Sequence, residues 1–234
     1  MPKIPFDACT ATASLEKLKK IHQGMGLHAS AISILEPTNR PNLFYGVRSI
    51  EGNGLGQKDL EFLIPKVQVG ETLETSLIPK TLVYIDHKQD APKIADEIRL
   101  LLPSDLRTRP PRPMVWNGDP RSQAEIIVCV YHVEMSSTMK NMVIEDWKAG
   151  KSRIMIASSA CGLSINDKEV ERIIQWGVKR LDNLDTLKQR YGHCARDSGK
   201  QGLCLLFTEK NYIGPRALRP INNDGDIRRS TLED

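Results

Sequence analysis

"TLVYIDHKQDAPKIADEIRLLL", residues 81 to 102, decides the fold. Residues 81 to 86 form a β-branched and aromatic run bounded by Lys80 and a polar turn, as a buried strand requires. Residues 90 to 102 begin at Asp90, a candidate N-cap, and set Ile94, Ile98, Leu101 and Leu102 on one face at helical spacing. The same unit recurs downstream. "IIVCVY" (126 to 131) predicts a strand, and "SSTMKNMVIEDWKAG" (136 to 150) predicts a helix that starts at serines and stops at Gly150. Strands follow at "RIMIA" (153 to 157), "VERIIQW" (170 to 176) and "GLCLLF" (202 to 207), with a helix from about Leu184 before the last. Apolar strands separated by helices read as an α/β fold, a mainly parallel sheet with helices on both faces. Such sheets bind ligands at the carboxyl ends of their strands, so the polar stretches after Ile85, Tyr131, Ala157 and Trp176 share one candidate edge.

Composition sets the outer bounds. The 234 residues are 40% hydrophobic, enough for a sheet-based core. No apolar run approaches the roughly 20 residues that span a bilayer, and "MPKIPFDACTATAS" lacks the apolar centre of a secretory signal, so no membrane partner and an intracellular location are expected. Cys9, Cys129, Cys161, Cys194 and Cys204 are odd in number and contain no C-x-x-C pair. They read as reduced thiols, with no metal site. The net charge of +4 does not by itself demand a nucleic acid, but its distribution is uneven. Arg107, Arg109, Arg112 and Arg121 crowd a proline-rich stretch (103 to 125) that also holds Trp116, and Lys188, Arg190, His193, Arg196 and Lys200 form a second cluster. The first reads as a long surface loop, and the tail after Phe207 reads as loose.

Four segments in order carry a resemblance. "YHVEM" (131 to 135), "IASSACGLSIN" (156 to 166), "VERIIQWGV" (170 to 178) and "QRYGHCARD" (189 to 197) resemble the patterns Y-H-A, A-T-x-x-[FW]-G-M-G-[IM]-[DN], V-x-x-V-[IV]-[HQ]-[WY] and Q-x-x-G-R-[AG]-[AG]-R-D. These belong to the second RecA-like lobe, a P-loop NTPase-type fold, of RecQ-type ATP-dependent DNA helicases. "NRPNLFY" (39 to 45) resembles the segment that crosses between the two lobes, and "CTATAS" (9 to 14) a motif late in the first lobe. The resemblance implies a division into 1–38, a remnant of the first lobe; 39–80, a connection and lead-in; 81–208, the second lobe; and 209–234, a flexible tail. The helix from Ser14 and a strand "SAISIL" (30 to 35) are then expected to expose apolar surface or to be poorly ordered.

The resemblance also implies roles. Arg196 stands where an arginine reaches the γ-phosphate of an ATP held mainly by the first lobe, a task suited to a planar, permanently charged donor fork. Gln189 and Arg190 are its expected neighbours, and Ser164 and Asn166 face the nucleotide. Tyr131, His132, Ser158 and the backbone near Gly162 are the expected DNA contacts, single-stranded DNA above all. The departures are as informative as the matches. His193 replaces the family's first arginine, Ser158 a threonine, Ser159 a common acidic residue and Ser164 a glycine. The G-x-x-x-x-G-K-[ST] phosphate loop and the acidic D-E-x-H strand end are both absent. "GNGLGQKD" (52 to 59) lacks the spacing and the hydroxyl, and "DEIR" (96 to 99) lies within an amphipathic helix.

Two function classes remain open. One is the second lobe of a 3′-to-5′ DNA helicase, expected in the nucleus, inactive alone and using ATP and Mg only when a first lobe is supplied by the same or another chain. The other is a non-enzymatic remnant that binds nucleic acid or a partner.

Overall fold

The computed structural model describes residues 8–10, 14–28, 30–34, 40–51, 57–68, 71–107, 121–158, 167–197 and 199–213. Its centre is a six-stranded sheet in the order β1-β6-β5-β2-β4-β3, every pair parallel. The strands are β1 (Leu43–Ser49), β2 (Thr81–Ile85), β3 (Val128–Tyr131), β4 (Ile154–Ala157), β5 (Arg172–Trp176) and β6 (Gly202–Thr208). The helices are α1 (Leu15–Gly24), α2 (Gln57–Leu60), α3 (Asp90–Leu101), α4 (Ser104–Arg107), α5 (Gln123–Ile127), α6 (Ser137–Lys148) and α7 (Leu184–Tyr191). This is the α/β, parallel arrangement that the strand–helix alternation implies.

Strand periodicity divides the core in two. Val83, Ile85, Ile154, Ile156, Ile174, Trp176, Leu205 and Phe207 point to one face, where Ile94 and Ile98 of α3 and Ile127 of α5 meet them. Leu82, Tyr84, Met155, Ala157, Ile173 and Cys204 point to the other, under Val143 and Trp147 of α6 and Leu187 and Tyr191 of α7. A two-residue side-chain period feeds both clusters from the same strands. Trp176 lies in the core, 5.1 Å from the Phe207 ring. Lys80, which looked like a strand boundary, is fully buried, with Nζ 2.7 Å from Asp167 Oδ2 and 4.8 Å from the centre of the Trp147 ring.

Several boundaries differ from expectation. Asp90 is the first residue inside α3 rather than its cap; Gln89 holds that position without a side-chain bond, and the Asp90 carboxylate meets His87 Nδ1 at 2.8 Å. Ile126 and Ile127 belong to α5, because Ser122 and Glu125 close a reciprocal capping box that starts a helix there. The 103–125 stretch therefore carries α4 and the start of α5 at its two ends; residues 108–120, with Arg109, Arg112 and Trp116, lie outside the described residues. Residues 30–34 are not a strand, and Ile32 and Ile34 are exposed. Helix α1 is capped by Ser14 and buries no residue. The expected lead-in contributes more than a connection. Within residues 39–80, β1 pairs in register with β6 from Leu43↔Gly202 to Ser49↔Thr208, and Leu60, Leu63, Leu73 and Ile78 enter the core. No helix among the described residues is long and apolar enough to cross a membrane.

The start of β6 is the tightest point of the sheet edge. A Cβ on Gly202 would lie 2.5 Å from Cys194 Sγ, 2.8 Å from Leu43 Cδ2 and 2.9 Å from Ala195 Cβ. Gly202→Ala is expected to cost about 1–3 kcal/mol through overpacking. The expected readout is a lower urea midpoint with an unchanged slope; an unmoved midpoint would show that this edge yields freely.

Candidate nucleotide and nucleic-acid edges

The loops that carry the candidate residues gather at two opposite ends of the sheet. At the carboxyl ends, Tyr131↔Ala157 is the last β3–β4 pair, and the Ser158 amide donates to Tyr131 O at 3.3 Å. This brings Tyr131, His132 and Ser158 together, as their places in the sequence imply. His132 Nδ1 is buried without a hydrogen-bond partner, and the Ser158 side chain is largely buried. Gly162, Ser164 and Asn166 lie outside the described residues. The loops after β2 and β3 are joined by an exposed Lys88–Glu134 ion pair.

Between β2 and β5 the chain leaves the sheet toward opposite faces, into α3 and into α7. That reversal opens a crevice in parallel sheets. A cleft of about 590 Å³ lies there, lined by Asp86, His87, Trp176, Lys179, Arg180 and Glu209 among others. Asp86 is engaged by Arg190, and the Glu209 carboxylate accepts from the Val178 amide at 3.1 Å. Among the described residues, no group of three or more His, Cys, Asp or Glu side chains is placed to hold a metal ion.

Helix α7 begins at Asn183, whose side chain accepts from the Thr186 amide at 2.9 Å. Near its far end Arg190 turns inward. Its guanidinium meets Asp86 through both oxygens, Nη2 to Oδ1 at 2.5 Å and Nη1 to Oδ2 at 3.2 Å, and donates to Gln175 Oε1. Gln175 Nε2 returns a bond to Asp86 Oδ2 at 2.9 Å, and the Tyr84 ring lies under the guanidinium at 5.1 Å. Arg190 is therefore the buried tie between α7 and the ends of β2 and β5, whereas Gln189 is on the exposed side of the helix.

After Gly192 the chain crosses the amino ends of β5, β6 and β1. The Ala195 amide donates to Val170 O at 2.7 Å, just before β5. Ala195 O accepts from Arg40 Nη2 at 2.5 Å and from Asn42 Nδ2 at 3.0 Å, just before β1. Asn42 Nδ2 also donates to Lys200 O at 2.8 Å. Ala195 itself is held at a φ of 38°, in the left-handed region that non-glycine residues rarely adopt. This clamp was missed in sequence, although the "NRPN" stretch was recognised. It leaves His193 buried and Arg196 exposed, with Arg196 Nη2 donating to His193 Nδ1 at 2.8 Å. An imidazole accepts there only with its proton on Nε2.

Residues 114–198 match the helicase conserved C-terminal domain. A little over a third of the chain therefore resembles a helicase C-terminal domain. Across 88% of its length it is 25% identical to the ATP-dependent DNA helicase Q-like 2 of Arabidopsis thaliana, and across 95% it is 24% identical to the ATP-dependent DNA helicase hus2/rqh1 of Schizosaccharomyces pombe. The chain is thus similar to RecQ-like DNA helicases over most of its length. The matched stretch spans 24% and 14% of those two proteins. In fold it resembles S. cerevisiae Dbp5 bound to RNA and ADP BeF3, with a TM-score of 0.59 at 14% identity, covering 86% of this chain and 44% of that one.

Arg190 gives the sharpest local test of this lobe. Removing one partner of a buried pair strands the other, so Arg190→Ala is expected to destabilise the lobe by about 3–5 kcal/mol. Arg190→Lys keeps the charge but loses the two-pronged contact, so it should fall between parent and Ala. Chemical denaturation checks both; an Arg190→Ala protein within about 0.5 kcal/mol of the parent would remove the pair from any structural role.

Proposed function

We propose that this lobe works as the second half of a RecQ-like, ATP-dependent 3′-to-5′ DNA helicase. Its carboxyl edge runs along single-stranded DNA, and its amino edge presents Arg196 to an ATP held by a first lobe. The observation that carries the reading is the clamped 192–197 loop: Arg40 and Asn42 fix its backbone while Arg196 stays at the surface. An arginine so positioned stabilises charge that develops on a transferring phosphoryl group. His193, which replaces the family's first arginine, orients Arg196 as a hydrogen-bond acceptor and supplies no second permanent charge.

The chain's own sequence contains no phosphate loop, so ATP and Mg bind only together with a first lobe. The same absence favours a second reading, a nucleic-acid-binding lobe without catalysis of its own. In both readings Tyr131, His132, the Ser158 hydroxyl and the Gly162 backbone contact the strand, and phosphate contacts dominate.

Fluorescence anisotropy with labelled single-stranded DNA and RNA tests the shared part. Weak, sequence-independent DNA binding is expected, falling steeply between about 50 and 200 mM salt as counterions are released. Salt-insensitive binding, or none at low salt, would contradict a nucleic-acid edge, and a clear preference for RNA would contradict the DNA assignment. A coupled assay on the same protein is expected to show no ATP turnover. DNA-stimulated turnover that survives repurification and vanishes in Arg196→Ala would mean that the chain holds a complete site.

A further inference from the structure

Beneath the arginine loop lie two thiols with no part in the function proposed above. Cys194 stands at a position where the resembled pattern has alanine or glycine, and Cys204 lies on β6. Both are fully buried in the cluster shared by α7 and the sheet. The Cys194 sulfur sits over the start of β6: a Cβ on Gly202 would lie 2.5 Å from it, and it lies 3.4 Å from Glu171 O and 3.8 Å from Leu203 O, either of which its single proton can reach. Alternation along the strand puts Gly202 and Cys204 on the same face, and Cys204 joins Cys194 in one buried cluster, within hydrogen-bonding reach of it.

We propose that Cys194 and Cys204 form a dithiol site that exchanges with small-molecule disulfides and closes into an internal disulfide between the arginine loop and β6. The two thiols differ in character. The hydrogen bond from Cys204 holds the Cys194 thiol below its usual range, with Arg40 adding to the effect, while the same contact and burial push Cys204 up. Cys194 is therefore the attacking thiolate. It displaces one thiolate from the small disulfide to give a mixed disulfide at Cys194. Cys204 then gives up its proton and attacks the Cys194 sulfur, releasing the second thiolate. Two protein thiols are oxidised, one external disulfide is reduced, and the two protons leave with the two released thiols. Cys129 does not compete, because burial pushes its thiol up to about 11.

Both sulfurs lie under the loop, so exchange needs the loop to open locally. The clamp that resists opening is the pair of bonds from Arg40 and Asn42 to Ala195 O. The closed disulfide would fix the segment that carries His193 and Arg196, and the proposal holds whether or not that segment faces ATP.

The test uses the full chain with oxidised glutathione, followed by alkylation, digestion and mass spectrometry, with near-ultraviolet circular dichroism recorded in parallel. The expected product is a Cys194–Cys204 linked peptide in excess over any pair involving Cys9, Cys129 or Cys161, formed with the dichroism retained. Cys204→Ala should stop at a Cys194–glutathione adduct. Asn42→Ala, which removes a neutral donor to Ala195 O and leaves the Arg40 charge in place, should speed linkage about five-fold, the factor set by losing roughly one hydrogen bond from the closed loop. Adducts confined to Cys9, linkage only as the dichroism collapses, or Cys204→Ala protein without a Cys194 adduct would each overturn the site. A rate unchanged in Asn42→Ala would overturn the opening step.

Discussion

The buried contact of Arg190 with Asp86 and Gln175 is the constraint on which the rest of this lobe depends. Three elements meet there: Asp86 follows β2, Gln175 belongs to β5 and Arg190 comes from α7. The guanidinium is almost fully enclosed, so its charge must be met by hydrogen bonds in a fixed geometry. Gln175 contributes by accepting from the guanidinium and donating to the carboxylate, which completes the ring. Because α7 is pinned near its carboxyl end, the loop that follows it starts from a defined point. That loop then has only a few residues in which to reach the clamp at Ala195.

This arrangement separates two chemistries across one sheet. Loops at the carboxyl ends of β2, β3 and β5 form a mixed polar edge with a cleft between β2 and β5, where a parallel sheet opens naturally. The amino ends of β5, β6 and β1 carry the left-handed Ala195, the buried His193 and the exposed Arg196. A helix that runs back from one edge to the other joins them. Strain at Ala195 persists because three hydrogen bonds and the close approach of Gly202 hold it, the usual condition for a non-glycine residue at such an angle.

Most of the fold was legible where periodicity was strong. The runs at 81–86, 153–157 and 202–207 are buried on both faces and could be read as central strands without any alignment. Strand β1 was missed because "LFYGVRS" lies at the sheet edge, where Phe44, Tyr45 and Val47 are exposed and neither the alternation nor the apolar run is complete. The 126–127 error came from apolar residues that serve equally well as the last turn of a helix, with the decisive signal three residues upstream in Ser122 and Glu125. For the candidate site, the motif order located the loops but could not say which arginine turns inward. Arg190 and Arg196 look alike in sequence, and only the position of Asp86 across the sheet makes one a tie and leaves the other exposed. Likewise, Arg121 looked like part of a basic loop but is bound to Asp146 at 2.7 Å.

The most direct measurement of the central claim is ATP turnover in a fusion that places a complete RecQ-like first lobe ahead of residue 39. An arginine whose strongest contact forms with developing phosphoryl charge affects turnover far more than ground-state binding. Arg196→Ala is therefore predicted to lower kcat by at least about 10³ while KM for ATP changes little. An active fusion in which Arg196→Ala leaves kcat unchanged would contradict the account.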